Sequence, residues 1–499
     1  MTGKALMVVG TMSSAGKSLL VTGLCRIFAR RGFRVAPYKS QNMSNNAGVC
    51  TDGSEIGRAQ YTQALACGIE PTAEMNPILL KPEADSRSQV IVMGKPYAHL
   101  TARNYYQQKT ELWKIATKAL DNLREEYDLV IIEGAGSPVE LNLKRGDIVN
   151  MAIAKYAKAP VLLAGDIDGG GIFPQLLGTL WLLEADEKEL VKGLIVNKFR
   201  GDITLFYDGV SILEEKGGVP VIGVVPYIRH QIPEEDAVAI EPQNFVSSID
   251  GDIDIVVIRL PRISNFDDFD PLNHESNVRV IYADSPNEVG NPYAIILPGT
   301  KSTIADLSFL QESGLFEYIQ EYAKNGGRVV GICGGYQMLG ELISDPEAVE
   351  STGYEIDGLG LLSIETIFQP EKATYQIKAK INLDTGWFAE IEDTSITGYE
   401  IHMGVTKLHG LEPWLSINLR SGKSVSVMDG AISDNMKVWG CYIHGIFENH
   451  AFRRAWLKSL GWQPQVEEIE NPFYASLDDL ADVLEEALDM EFLDKVLLL

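Results

Sequence analysis

Ala5-Leu-Met-Val-Val-Gly10-Thr-Met-Ser-Ser-Ala-Gly16-Lys17-Ser18 is an apolar run, a glycine loop and the opening of an amphipathic stretch, in that order. A strand that feeds a glycine loop and then a helix is the setting of a phosphate-binding loop. Glycines let backbone N–H groups turn toward an anion, and the N-terminus of the following helix adds its positive end. Gly10, Thr11, Ser14, Ala15 and Gly16 would cradle nucleotide phosphates, Lys17 would reach the β- and γ-phosphates, and the Ser18 hydroxyl would hold Mg2+. Five residues separate Gly10 from Gly16, one more than in the common pattern. The bland alternative is a glycine-rich turn with a surface lysine, and the ordered strand, loop and helix weigh against it.

Carboxylates that could complete the metal site follow downstream. The apolar run Leu129–Ile132 ends in Glu133, and ligands in parallel sheets bind beyond the carboxyl ends of strands. Asp52, in Thr-Asp-Gly-Ser-Glu55, is the second candidate, with Glu55 competing for the role. Asp166 and Asp168 lie among glycines after another strand, and Asn197 ends a further one, where its amide could read an adenine edge.

Outward from the loop, residues 5–226 alternate apolar runs with amphipathic stretches. Strands are expected at Ala5–Val9, Arg34–Tyr38, Leu129–Ile132, Pro160–Ala164, Leu194–Val196 and Val219–Val225, with helices at Leu19–Arg31, Ile148–Lys158 and Thr204–Lys216. That alternation predicts a parallel sheet covered on both faces. A polar, acidic stretch at 233–252 reads as a linker between a first domain at 1–232 and a second at 253–450. The second α/β pattern has strands at Ile253–Leu260, Val278–Ala283, Ala294–Leu297 and Arg328–Ile332, and a helix at Leu307–Lys324. Residues 353–447 suit an antiparallel extension, and 451–499 an acidic helical one. The chain has 499 residues and a formal net charge of −26, so a nucleic-acid partner held by a broad basic face is not expected. Five cysteines without CxxC spacing argue for a reducing compartment, with the cytoplasm as the expected location. The N-terminal apolar run leads straight into the loop and reads as a buried strand rather than a signal peptide. No stretch approaches the roughly 18 apolar residues of a membrane helix.

Arg328-Val-Val-Gly-Ile-Cys333-Gly-Gly-Tyr-Gln337 is a strand, a sharp glycine turn carrying cysteine, and a helix, the form of a nucleophile elbow. The helix N-terminus favours thiolate, and the Gly334 N–H is placed to stabilise an oxyanion. Trp439-Gly-Cys-Tyr-Ile-His444 puts a histidine at a strand end, giving the pair that acyl-thioester chemistry needs. A lone cysteine is more often a buried hydrophobe, which is how Cys25, Cys50, Cys67 and Cys441 read. His402, between glycines, is the rival base.

These residues carry a family likeness. The chain resembles the cobyric acid synthase family of cobalamin-pathway amidotransferases over nearly its whole length. Its first half resembles the dethiobiotin synthetase type of nucleotide-binding domain, which has the longer phosphate loop. Tyr38–Ala47, Asp52–Gln60, Asn76–Pro82 and Asn197–Asp202 match the family's own signatures. The second half resembles a class I glutamine amidotransferase domain, flavodoxin-like and α/β. There Leu297-Pro-Gly-Thr-Lys-Ser302 matches the oxyanion-strand loop that contributes Gly299, while Cys333 and His444 match nucleophile and base. Class I domains usually carry glutamate two residues after the histidine; here that residue is Ile446, so the orienting group is open, with Glu448 a possibility. The resemblance implies ATP and Mg2+ as cofactors, L-glutamine as nitrogen donor, and amidation of the b, d, e and g carboxylates of adenosylcobyrinic acid a,c-diamide. Lys39, Arg58, Lys81, Arg87 and Lys144 are candidates for holding this corrinoid. Alternatives are the a,c-diamide synthase type, a cell-wall amidotransferase and a nucleotide-switched scaffold; the last has no use for Cys333 and His444. The oligomeric state is open, a homo-oligomer included.

Overall fold

The computed structural model describes residues 2–84, 87–233, 253–350, 355–392, 394–464 and 472–498. The expected linker lies outside these residues except for Pro233.

The first half is built on a six-stranded parallel sheet in the order Val221–Pro226, Val191–Phe199, Val161–Asp166, Lys4–Gly10, Leu129–Glu133 and Val35–Tyr38. Its strands are nearly unbroken apolar runs because helices cover both faces. Lys17–Arg30 buries Leu20, Val21, Leu24 and Phe28 on one face; Met151–Ala157 and Ile172–Leu182 pack on the other. A second sheet, Gln41–Met43, Ile78–Ala84, Arg87–Val92 and Lys95–Thr101, was not anticipated. Pro82 within an apolar run reads against a strand. The run forms a strand nonetheless, pairing on both sides, with a register shift between Pro82 and Ala84. The 25-residue helix Ala102–Glu126 follows, with the Thr101 side chain accepting from the Asn104 N–H.

The second half has its own sheet: Val278–Ala283, Ile253–Ile258, Ala294–Leu297, Val329–Ile332 and Val438–Cys441 are parallel, and Ala431–Ile432 is antiparallel at one edge. The helix expected at Leu307–Lys324 is two helices, Thr303–Ser313 and Leu315–Lys324, because Gly314 adopts a left-handed φ of 78° between them. A largely antiparallel sheet containing the long strands Ile364–Ile381 and Ser395–Leu408 forms the extension. After the amidotransferase-like core the helix His450–Ser459 packs on the second half through Phe452 and Trp456. The last two helices, Pro472–Ala487 and Met490–Leu497, instead complete the core of the first half with Leu477, Leu480, Leu484 and Leu493. Arg26 ties this return with a two-pronged bond to Asp478, at 2.8 and 3.0 Å. Among the described residues no helix is long and apolar enough to cross a membrane.

Leu484 is fully buried against Gly23 and the helix Lys17–Arg30. Leu484→Ala should lower the free energy of unfolding by about 2–5 kcal/mol in chemical denaturation. Leu205→Ala, at an exposed side chain, should stay within about 0.5 kcal/mol of the parent.

Candidate active site

Cys333 sits between the strand Val329–Ile332 and the helix Gly334–Met338 with φ 52° and ψ −109°, a strained conformation for a residue with a side chain. That geometry is the elbow, and it turns the thiol out of the sheet toward the Ile401 carbonyl, 3.5 Å away. Gly334 is the first residue of the helix, so its N–H has no intrahelical acceptor.

His444 lies beyond the strand Val438–Cys441 and is 1% exposed. Its backbone exchanges two hydrogen bonds with Tyr399, whose ring stacks on the imidazole at 5.2 Å. Its Nδ1 is 2.6 Å from Asp268 Oδ2, and Asp268 Oδ1 accepts the Gly445 N–H at 2.8 Å. Burial pulls the imidazole pKa down. The Asp268 and Cys333 charges, with a hydrogen bond to each, outweigh it and raise the pKa to about 10. The imidazole is therefore held as a cation beside the thiol. Gly299 borders the same site: a Cβ there would lie 2.7 Å from His444 Cε1, so the loop approaches the ring as closely as it does only with glycine.

Asp268 is the orienting group that the sequence left open. Glu448 does not fill that role; its carboxylate bonds Arg58 at 3.1 Å. Asp268 belongs to the short turn Phe266–Phe269, far upstream of both partners in sequence, in a doublet with Asp267 that no spacing rule singles out. His402 lines the cavity of about 50 Å³ beside Cys333, but its ring stacks on Tyr442 at 3.8 Å. Glu400 Oε1 is 3.5 Å from His402 Nε2, yet neither ring nitrogen meets hydrogen-bond geometry. Among the described residues no hydrogen bond orients His402 as Asp268 orients His444.

The phosphate loop forms a second centre. Gly16 takes φ 86°, and a Cβ there would strike Asn197 Nδ2 at 2.1 Å. The Asn197 Nδ2 donates to the Ala15 carbonyl at 2.9 Å, so this amide braces the loop. Lys198 reinforces the brace through the Ser14 carbonyl and Asp166. Thr11 bonds Gln175. The Lys17 ammonium rests on the Met12 and Gly136 carbonyls, and Gly10 closes tightly over Ala15.

The Ser18 hydroxyl donates to Glu133 Oε1 at 2.8 Å, so these two candidate ligands meet. Burial pushes the Glu133 carboxyl up, but Lys39, Gln63 and Ser18 hold it below the usual range. A hydroxyl and an ionised carboxylate at a helix start are oxygen donors of the kind that Mg2+ takes. Asp52 is not with them. Its carboxylate accepts from the Ser54 N–H and hydroxyl in the turn between Ala47–Val49 and Glu55–Gly57, where Gly53 abuts the Thr374 carbonyl of the second half. Glu55 is also absent, being buried between Lys81 at 2.6 Å and Lys372 at 2.5 Å.

A cavity of about 1480 Å³ opens from Lys17, Ser18 and Glu133. Arg87, Lys109 and Lys144 supply cations to its lining, and Tyr105, Phe266 and Phe269 aromatic surface. Lys39 lines it while paired with Glu133 at 2.9 Å. Arg58 and Lys81, two of the proposed corrinoid-holding residues, do not line it. They are buried against Asp267 and Glu55 at the junction of the two halves.

Comparison with known proteins gives two family matches. Residues 6–237 match the CobQ/CobB/MinD/ParA nucleotide binding domain, and residues 254–452 match the CobB/CobQ-like glutamine amidotransferase domain. A cobyric acid synthase of Chloroflexus aurantiacus is 55% identical over 99% of this chain and 99% of its own length. Those of Herpetosiphon aurantiacus and Dehalococcoides mccartyi are 53% and 50% identical, over 99% and 98% of this chain and 98% and 97% of theirs.

Asp268→Asn should slow glutamine hydrolysis on the order of 10²-fold or more, while Glu448→Gln leaves it nearly unchanged. The pH dependence has a fixed sign. A pKa raised in the folded state, here to about 10, contributes stability that is complete below the unfolded value of about 6.5 and is lost as pH rises through the folded one. The stability gap between the parent and Asp268→Asn, read by denaturant titration, should be widest near pH 6 and close toward pH 10. A gap independent of pH would contradict the pairing.

Proposed function

The chain belongs to the cobyric acid synthase family and is a glutamine-dependent, ATP-using amide ligase, and we propose that it amidates the b, d, e and g carboxylates of adenosylcobyrinic acid a,c-diamide with ammonia released at Cys333. The observation that carries this reading is the pairing of a strained thiol and the buried His444–Asp268 pair in one half with a phosphate loop in the other, beside a large cavity lined from both halves. The full-length relatives favour it over the a,c-diamide synthase alternative.

In this reading the chemistry divides between residues 1–232 and 253–450, joined by 233–252, with the tail 451–499 a third part. The Cys333 thiolate attacks the glutamine side-chain amide. The oxyanion is held by N–H groups at Gly334 and Gly299, and the proton for departing ammonia comes from His444, held in register by Asp268. Water then frees glutamate from the thioester. In the first half Lys17 and the loop amides hold ATP so that its γ-phosphoryl group faces a corrinoid carboxylate. Ser18 and Glu133 would hold Mg2+, which neutralises charge on the transferring phosphoryl group. A carboxylate is a poor electrophile, and the resulting acyl phosphate has a good leaving group for ammonia to displace. The lining of Arg87, Lys109 and Lys144 beside aromatic rings suits a macrocycle with a rim of carboxylates, on a chain whose net charge of −26 would otherwise repel it. Five free cysteines suit a reducing cytoplasm.

Cys333→Ala should abolish glutamine hydrolysis yet amidate the corrinoid when high ammonium is supplied, as read from product masses that rise by four amidations. Lys17→Ala should lose ATP turnover and keep glutamine hydrolysis. Failure of ammonium to rescue Cys333→Ala, or equal loss of both activities in Lys17→Ala, would overturn this division of labour.

A further inference from the structure

In two places neighbouring residues line the two cavities in turn. Along the strand Ile78–Ala84 side chains alternate between faces. Leu80 and Pro82 line the large cavity that opens at the phosphate loop, and Lys81 between them lines the small cavity beside Cys333. The turn at 264–269 repeats the pattern: Asn265 faces the Cys333 cavity and Phe266 the large one. This wall is also where the halves dock. Asn265 receives the Ala47 N–H at 3.0 Å and gives its own N–H to Asn46 at 2.7 Å, while Lys301 pairs with Glu83 at 3.1 Å.

One side chain of this wall is chemically unusual. Lys81 is 3% exposed and donates to Glu55 Oε1, and Lys372, from the other half, donates to Glu55 Oε2. Two buried lysines share one buried carboxylate, an arrangement whose desolvation cost makes it a poor source of stability. All three groups lie where the halves meet, and both lysines reach the cavity that holds the thiol.

Resting on the function proposed above, we propose that ammonia crosses from Cys333 to the large cavity over the strand Ile78–Ala84 at Lys81, and that Lys81, latched to Glu55 and Lys372, is the side chain that closes this crossing. Ammonia in water is mostly ammonium and is not nucleophilic, so a dry, short crossing keeps it reactive. A closed latch separates the small cavity from the large one, and rotation of the Lys81 stem about its own rotamers opens the shortest path between them. Lys81 touches no reacting atom in this account; it is a positioning residue for the transfer.

The test measures glutamate released and amides formed in the same reaction, for the full chain and for Lys81→Met and Lys372→Met, with glutamine or with ammonium as nitrogen source. The two variants break the latch from opposite halves, so a folding defect in one leaves the other informative. With the latch broken the ratio should rise from about one glutamine per amide to at least about five, as ammonia escapes into solvent. Ammonium-driven amidation, which bypasses the thiol cavity, should stay within about twofold of the parent, which a general structural defect would not allow. A ratio that stays near one in both variants, or a parallel fall in ammonium-driven amidation, overturns the crossing at Lys81. Absence of glutamine hydrolysis in the unaltered chain would instead overturn the proposed function, and the crossing with it.

Discussion

The turn Asn265–Phe269 is held from both halves of the molecule at once, and the catalytic geometry depends on that constraint. Asn265 is clamped by Asn46 and Ala47, and Asp267 lies 2.8 Å from the buried Arg58 guanidinium. Burial drives the Asp267 carboxyl up to about 6 even with Arg58 beside it, so the pair is bound into the junction rather than into solvent. Asp268, the next residue, is then free to point at His444. A base that must hold a proton next to a thiol thus takes its orientation from a segment whose shape requires the halves to be docked.

The same helix that supplies Arg58 also supports the phosphate centre. In Arg58–Cys67, Gln60 and Gln63 donate to Glu133 at 3.3 and 2.6 Å, and Glu133 accepts from Ser18. A single helix therefore touches the carboxylate at the phosphate loop and, through Arg58, Asp267, the neighbour of the carboxylate that orients the thiol's base. The tail adds to this economy. Its last two helices return to the first half and fill the face of the sheet against Lys17–Arg30, so the helix that starts at the phosphate loop is packed from both sides.

Much of this was legible in the sequence where local chemistry is sharp. The loop at Gly10–Ser18, the elbow at Cys333 and the parallel strands each combine a residue pattern with a backbone requirement, and the fold follows them closely. Glu133 stands at the end of its apolar strand as the pattern reads, and it meets Ser18 there. What failed to show was non-local. Asp268 is an acid in an acidic chain, and only the folded turn brings it to His444. Asp52 looked like a ligand because it follows a strand, but its carboxylate is satisfied by Ser54 within its own turn. Asn197 reads as a base reader because it follows an apolar strand run, and its brace on the Ala15 carbonyl is a contact that no local pattern shows. Lys81 and Arg58 read as cations for an anionic substrate; Arg58 is instead paired with Asp267 of the opposite half, and Lys81 with Glu55 of its own half, a carboxylate it shares with Lys372.

The account stands on ammonia passing between two centres without entering bulk water. The most direct measurement uses glutamine labelled with heavy nitrogen in its side-chain amide, together with an excess of unlabelled ammonium, and reads the isotope in the corrinoid product by mass. The account predicts that the new amides carry the heavy label almost entirely as long as the ammonium is kept below the level that drives amidation without glutamine. Label diluted to the bulk ratio would show that nitrogen equilibrates with solvent, and would contradict it.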